Sequence, residues 1–169
     1  MQLNFKGKPF NITDPIVGIV KRDYANLDPD KKYILYADRA SDIDFKKNSF
    51  AAFIVKDSEG QLSNRSKLKT KIVYDIPMLS NLEDGDIVAL FSDGSLYTLF
   101  KSNHTHNSIF VTDRCNSNCL MCSQPPKDRD DIAFMHNINM QMIDLLPDGI
   151  SEIGITGGET TLLGEKLTE

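Results

Sequence analysis

Ser108-Ile109-Phe110-Val111-Thr112-Asp113-Arg114-Cys115-Asn116-Ser117-Asn118-Cys119-Leu120-Met121-Cys122 is the stretch that decides the fold. Ser108 to Thr112 reads as a strand, with Ile109, Phe110 and Val111 as its β-prone apolar run. The loop after that strand holds all 3 cysteines of the 169-residue chain, in the spacing CxxxCxxC. A strand that empties into such a loop puts reactive side chains at its C-terminal end, where α/β folds carry their chemistry.

Downstream, Pro125-Pro126 and the charged stretch Lys127 to Asp131 separate the loop from a periodic segment. Phe134, Ile138, Met142 and Leu145 recur at helical spacing and predict a helix with one apolar face. Pro147 and Gly149 stop it. Glu152 to Thr156 reads as a second strand, ending in Gly157-Gly158-Glu159. Strand, helix, strand is a βαβ unit, whose strands should run parallel with a right-handed crossover.

Upstream, Ser102 to Asn107 is a polar linker, and the pattern before it differs. Short apolar runs lie at Ile16 to Val20, Tyr33 to Tyr36, Ala51 to Val55 and Ile72 to Tyr74, separated by turn-rich or polar segments. Ile87–Phe91 and Leu96–Phe100 flank Ser92-Asp93-Gly94-Ser95, whose Asp-Gly pair signals a tight hairpin. Strands so spaced suggest a small antiparallel sheet or barrel. The expected organisation is a β-rich N-terminal domain over residues 1–104 and an α/β domain over 105–169.

Apolar residues make up 40% of the chain and charged residues 25%, an ordinary globular composition. A net charge of -5 argues against a nucleic-acid coat, which needs a basic stripe. The densest basic region, Arg65, Lys67, Lys69 and Lys71, reads as a solvated loop or edge strand. MQLNFKGKPF has no apolar core of a secretory signal, and no run of about 18 apolar residues spans a membrane. The expected compartment is the cytoplasm, where crowded cysteines favour a metal site over disulfides.

Thiolate sulfur suits the iron of a cluster, being soft and charged. Three closely spaced thiolates hold three corners of a cubane and leave one iron open to a non-protein ligand. Spacing alone also admits a structural zinc site of three cysteines with His104, His106 or His136 as fourth ligand. Buried apolar cysteines and a two-cysteine redox pair are the other readings. Gly157-Gly158-Glu159 favours the cluster: glycines let backbone approach a ligand closely, and carbonyls with a carboxylate accept hydrogen bonds from an ammonium group.

CNSNCLMC resembles the cluster signature of the radical S-adenosylmethionine (SAM) superfamily, and ITGGET resembles its second-strand signature, usually Gly-Gly-Glu-Pro. The resemblance implies that Cys115, Cys119 and Cys122 hold a 4Fe–4S cluster whose fourth iron binds SAM. Gly157, Gly158 and Glu159 would face the methionyl ammonium of SAM. Met121 would stand near the adenine, where many members have an aromatic residue. The implied chemistry is reductive cleavage of SAM and hydrogen abstraction by a 5′-deoxyadenosyl radical. Phe110 to Cys115, Cys122-Ser123-Gln124-Pro125-Pro126-Lys127 and Ile155 to Glu159 with Leu162-Leu163-Gly164 look like the maturases of the His-Xaa-Ser repeat peptide system (C-type). Gly85-Asp86-Ile87-Val88 is compatible with that group. The implied partners are a small His-Xaa-Ser peptide, a second radical SAM protein, and an electron donor such as flavodoxin or ferredoxin, with no nucleic acid and no membrane.

Thr160 stands where the family usually has proline, which leaves the turn less fixed. A complete (β/α)8 barrel takes about 250 residues. The expectation is therefore the first βαβ unit of a partial, TIM-like radical SAM barrel, truncated at Glu169 and with little turnover alone. The alternative is an inactive metal- or peptide-binding module carrying a cluster or zinc. Of the other polar residues, His104 and His106 read as linker and His136 as solvent-facing. Asp128, Asp130 and Asp131 read as a solvated loop. Phe134, Met135, Met140 and Met142 read as core packing of the helix.

Overall fold

The computed structural model describes residues 4–45, 49–58, 70–76, 81–117, 119–122 and 127–169. The basic residues Arg65, Lys67 and Lys69, and Ser123 to Pro126 after the third cysteine, lie outside them. The chain is mixed α/β and divides into two compact units, Met1–Asn103 and His104–Glu169.

Eight strands form the first unit among the described residues: β1 (Asn4–Lys6), β2 (Lys8–Phe10), β3 (Ile16–Lys21), β4 (Tyr33–Arg39), β5 (Ala52–Asp57), β6 (Ile72–Tyr74), β7 (Ile87–Leu90) and β8 (Ser95–Phe100). Their order is β1-β8-β7-β3-β4-β5-β6-β2. Only Gly7 separates β1 from β2, so the two ends of that order are one run of chain and the sheet closes on itself. The bend at Gly7 is tight. A Cβ there would stand 2.6 Å from both the Tyr74 carbonyl oxygen and Ile76 Cγ1.

The expectation of an antiparallel sheet or barrel holds in part, for the sheet is mixed. β3, β4, β5 and β6 run parallel to one another, while β1·β8, β7·β8, β3·β7 and β2·β6 are antiparallel. The connections explain it. A tight hairpin forces antiparallel neighbours, whereas parallel strands need a long crossover. Of the connections between paired strands, only β7–β8 is tight. There the Gly94 N–H donates to the Phe91 carbonyl at 3.0 Å and the Phe91 N–H to Ser95 at 3.0 Å, with Gly94 at φ +83°. This is a three-residue hairpin loop with glycine in the left-handed position.

The central strands carry continuous apolar runs because both faces are covered. Ile16, Val20, Ile34, Tyr36, Ala52, Ile54, Val73, Val88, Leu90 and Leu96 share one buried cluster. The intervening residues Val17, Leu35, Phe53, Val55 and Ile87 are also buried. Phe45 and Phe50 pack tilted against Phe53 at ring separations of 5.2 and 5.9 Å.

Two polar features are built into this unit. Asp86 is fully buried and accepts hydrogen bonds from the Glu83 N–H (2.9 Å), the Lys101 ammonium (2.7 Å), the Ser102 N–H (2.9 Å) and the Ser102 hydroxyl (3.1 Å). It ties the entry of β7 to the exit of β8. The Tyr36 hydroxyl donates to Asp38 at 3.0 Å, and the Arg22 guanidinium lies 4.4 Å from the centre of its ring. Burial, then the bond to Asp38, pushes the Tyr36 phenol up to about 12.

The second unit has β9 (Ser108–Phe110), α1 (Ile132–Ile143) and β10 (Gly154–Thr156). β9 and β10 pair in parallel, with Ile109 opposite Ile155. On α1, Ile138 and Met142 are buried with Leu145 just beyond, whereas Phe134 is 44% exposed. Phe134 stands in the first turn, two residues after Ile132, and is not a core residue as its spacing suggested. Asn139, also buried, donates from Nδ2 to the Phe110 carbonyl at 2.9 Å and pins the helix to β9. No helix among the described residues is long and apolar enough to cross a membrane.

Candidate metal centre

The ladder between β9 and β10 does not stop where the strands stop. The Val111 N–H donates to the Thr156 carbonyl (2.9 Å), the Gly158 N–H to Thr112 (2.7 Å), and the Glu159 N–H to Arg114 (2.9 Å). The double glycine and the approach to the first cysteine therefore lie side by side at the same end of the parallel pair. Gly157 adopts φ +141°, and a Cβ on it would stand 2.7 Å from the Thr112 carbonyl oxygen. A Cβ on Gly158 would overlap the carbonyl oxygen of Arg114. Here the glycines admit the backbone of the cysteine loop, where the sequence had suggested the approach of a ligand.

Glu159 closes the motif. Its Oε1 accepts from the Thr161 hydroxyl at 2.7 Å and the Thr161 N–H at 3.1 Å, capping the first of two short 3₁₀ turns that meet at a kink at Gly164 within Thr160–Leu167. The hydroxyl bond, then the N–H bond, holds the Glu159 carboxyl below its ordinary range. It is an anion at neutral pH.

All three cysteines are free thiols, Cys115 half-buried and Cys119 and Cys122 exposed. The Ser117 N–H points at Cys115 Sγ at 3.4 Å, a donor that a thiolate ligand accepts. The Cys122 N–H donates to the Cys119 carbonyl at 3.1 Å, forming a turn whose middle residues, Leu120 and Met121, are 102% and 96% exposed. Among the described residues, no three His, Cys, Asp or Glu side chains converge as a metal-ligating group. The donor chemistry fits an iron–sulfur cluster, three thiols on one short loop with a backbone donor to sulfur.

Beside the loop is an open cleft of about 410 Å³, lined by Arg114, Cys115, Asn116, Lys127, Asp128 and Leu162. That volume falls within the range of roughly 300–1,000 Å³ typical of small-molecule sites. Lys127 bonds Asp113 at 3.0 Å across the mouth of the loop.

Two residues read as solvated from sequence are not. Asp131 is 5% exposed and accepts from the Thr112 hydroxyl at 2.5 Å and the Asp113 N–H at 2.9 Å. His136 has a side chain only 17% exposed, with Nε2 3.0 Å from Glu169 Oε2. The signal for Asp131 was its place directly before a helix, but propensity there points to a cap. In the fold its side chain turns to the strand instead. His104 and His106 are exposed, as expected of a linker.

No protein-family model matches this chain, and comparison with curated proteins and with solved structures finds no significant match.

Proposed function

We propose that this chain carries the cluster- and SAM-binding start of a radical SAM peptide maturase. Cys115, Cys119 and Cys122 would hold a 4Fe–4S cluster, and Gly157, Gly158 and Glu159 would receive the methionyl ammonium of SAM, with Met121 beside the adenine. When bound, the cluster supplies the electron for reductive cleavage of SAM. The single observation that carries the reading is the hydrogen-bonded register of Thr112–Gly158 and Arg114–Glu159, which joins the two motifs into one surface. A lone Gly-Gly-Glu is a common turn; one laddered to a CxxxCxxC loop at the same strand ends is a far narrower pattern.

On this reading β9 and β10 are the first strands of a partial TIM-like barrel. The chain's own residues then have defined tasks. The exposed Cys119–Cys122 turn would supply two thiolates to the cluster. The anionic Glu159 and the adjoining backbone carbonyls attract an ammonium group. The substrate would be a small His-Xaa-Ser repeat peptide, with a second radical SAM protein as partner and a flavodoxin or ferredoxin as electron donor.

Anaerobic reconstitution with iron and sulfide tests the proposal. The expected result is about four iron and four sulfide per chain, as a cubane requires, with a reduced-cluster paramagnetic resonance signal that changes when SAM is added. A chain that excludes iron and retains one zinc overturns it.

A further inference from the structure

Thr112 and Asp131 form a buried polar pair between the start of the cysteine loop and the entry of α1. Thr112 is fully buried and Asp131 is 5% exposed. Four groups meet there. The Thr112 hydroxyl donates to Asp131 Oδ1 at 2.5 Å, the Asp113 N–H donates to Asp131 Oδ2 at 2.9 Å, and the Arg114 N–H donates to Thr112 Oγ1 at 3.0 Å. Every link runs toward the carboxylate. Each consecutive backbone amide leading to Cys115 is held either by Asp131 directly or by the hydroxyl that Asp131 orients.

Asp131 occupies the residue before α1 yet makes no side-chain capping bond to the helix. A carboxylate at a helix start ordinarily accepts the helix's own first amides. Here both oxygens are spent on the strand end instead. The Met135 N–H goes to the Asp131 carbonyl at 2.8 Å, so the backbone continues the helix while the side chain reaches across.

We infer that Asp131 is a positioning residue for the cysteine site, acting through Thr112 to fix where the chain delivers Cys115. The inference rests on the cluster reading for its purpose and on the hydrogen-bond geometry for its mechanism. Cys115 is the half-buried thiol of the three, and it lies one residue beyond the anchored Arg114 amide. Cys119 and Cys122 lie beyond the anchor on the exposed turn. The anchor makes Cys115 the fixed ligand and leaves the other two to close around the cluster.

Asparagine replaces the carboxylate only in part. With Oδ1 on the Asp113 N–H, the amide nitrogen faces Thr112 Oγ1 and can only donate to it. The buried Thr112 O–H then loses its acceptor, and the hydroxyl loses the orientation that holds the Arg114 N–H. Asn139→Leu is the matched control, since Asn139 ties the same helix to the same strand through the Phe110 carbonyl, outside the cysteine loop.

The test uses the full chain and two independent readouts. The first needs no cluster: the alkylation rate of each thiol by iodoacetamide, followed by peptide mass mapping. In the native sequence Cys115 should react more slowly than Cys119 and Cys122. In Asp131→Asn and Thr112→Val it should approach their rates, while Thr112→Ser, which keeps the hydroxyl, and Asn139→Leu should stay native. The second is cluster affinity, measured by competition with an iron chelator. Loss of a partner that orients ligands costs about 10–100-fold, and that loss is expected for Asp131→Asn with recovery in Thr112→Ser. Unchanged Cys115 alkylation in Asp131→Asn, or an equal effect in Asn139→Leu, overturns the inference. Should the native chain take up no iron and sulfide, the cluster reading falls, and the alkylation pattern alone decides the positioning role.

Discussion

The amide of Glu159 donates to the carbonyl oxygen of Arg114 at 2.9 Å. That bond sets the residue after the double glycine against the residue before the first cysteine. Its neighbour, the Gly158–Thr112 bond, closes the ladder from below at 2.7 Å. The two motifs of the candidate site thus share one backbone ladder.

Gly158→Ala should break that structure. The added methyl overlaps the Arg114 carbonyl, a backbone atom that cannot swing aside. Overpacking of this kind costs about 1–3 kcal/mol. Amide hydrogen exchange should show faster exchange at positions 158 and 159 by roughly tenfold or more, since about 1.4 kcal/mol is a factor of ten. Native protection at both positions would contradict the ladder.

Replacing Cys115, Cys119 or Cys122 singly with Ala should abolish cluster absorption after anaerobic reconstitution. Replacing His104, His106 or His136 should leave metal content unchanged. A histidine variant that strips metal from the chain would point to a Cys3His zinc site in place of a cluster.

Asp86→Ala should be among the most damaging changes in the first unit. It takes the carboxylate counter-ion from the Lys101 ammonium, whose side chain is only 12% exposed and which keeps the Asn81 carbonyl, and removes the acceptor of the Ser102 N–H. Removing one partner of a buried pair costs about 3–5 kcal/mol. The double change Asp86→Leu with Lys101→Met should cost less than Asp86→Ala alone, because it leaves no lone buried charge. Urea unfolding followed by far-ultraviolet circular dichroism measures both.

Tyr36 sets an alkaline limit. Its folded pKa of about 12 lies above the unfolded value of about 10. Its contribution is therefore complete below pH ~10 and is lost as pH rises toward ~12, because only the unfolded chain sheds the proton in that window. Asp75 works at the opposite end. Burial raises its pKa, but bonds from Ser58 and Lys8 outweigh burial and hold it below the ordinary value. Its contribution is present above the unfolded pKa and is lost as pH falls through the depressed folded one. Tyr36→Phe should flatten the alkaline limb of a stability–pH curve and leave the acid limb alone; Asp75→Asn should do the reverse.

Gly7→Ala tests closure of the sheet. The methyl would press on the Tyr74 carbonyl and Ile76 at once. A loss of about 1–3 kcal/mol is expected, with exchange rising first at position 7, whose N–H donates to Gly94 at 2.9 Å in the native chain, and along β1.

Much of the local structure was legible. Strands from Ile16, Tyr33, Ile72 and Ile87, the Asp93-Gly94 hairpin, and α1 all derive from apolar runs and turn residues. β1 and β2 escaped notice because each has three residues and Phe5 and Phe10 are too sparse to show a period. Their pairing comes from partners far along the chain, β8 and β6. Phe134 misled because helical spacing names a face without saying how far the neighbouring strands extend beneath it.

The sequence by itself determined which residues are candidates for a site: three cysteines at ligand spacing, two glycines and a glutamate after the next strand, and a helix between. Those are properties of residue type and short spacing. Tertiary structure alone decided that the first sheet is mixed and closes through Gly7. It alone decided that the two motifs share a ladder and that Asp131 reaches the strand end instead of capping its helix. Each of these depends on hydrogen bonds between residues distant in sequence. Such bonds are chosen by which long-range pairing satisfies every buried donor and acceptor together, and no local pattern records that choice.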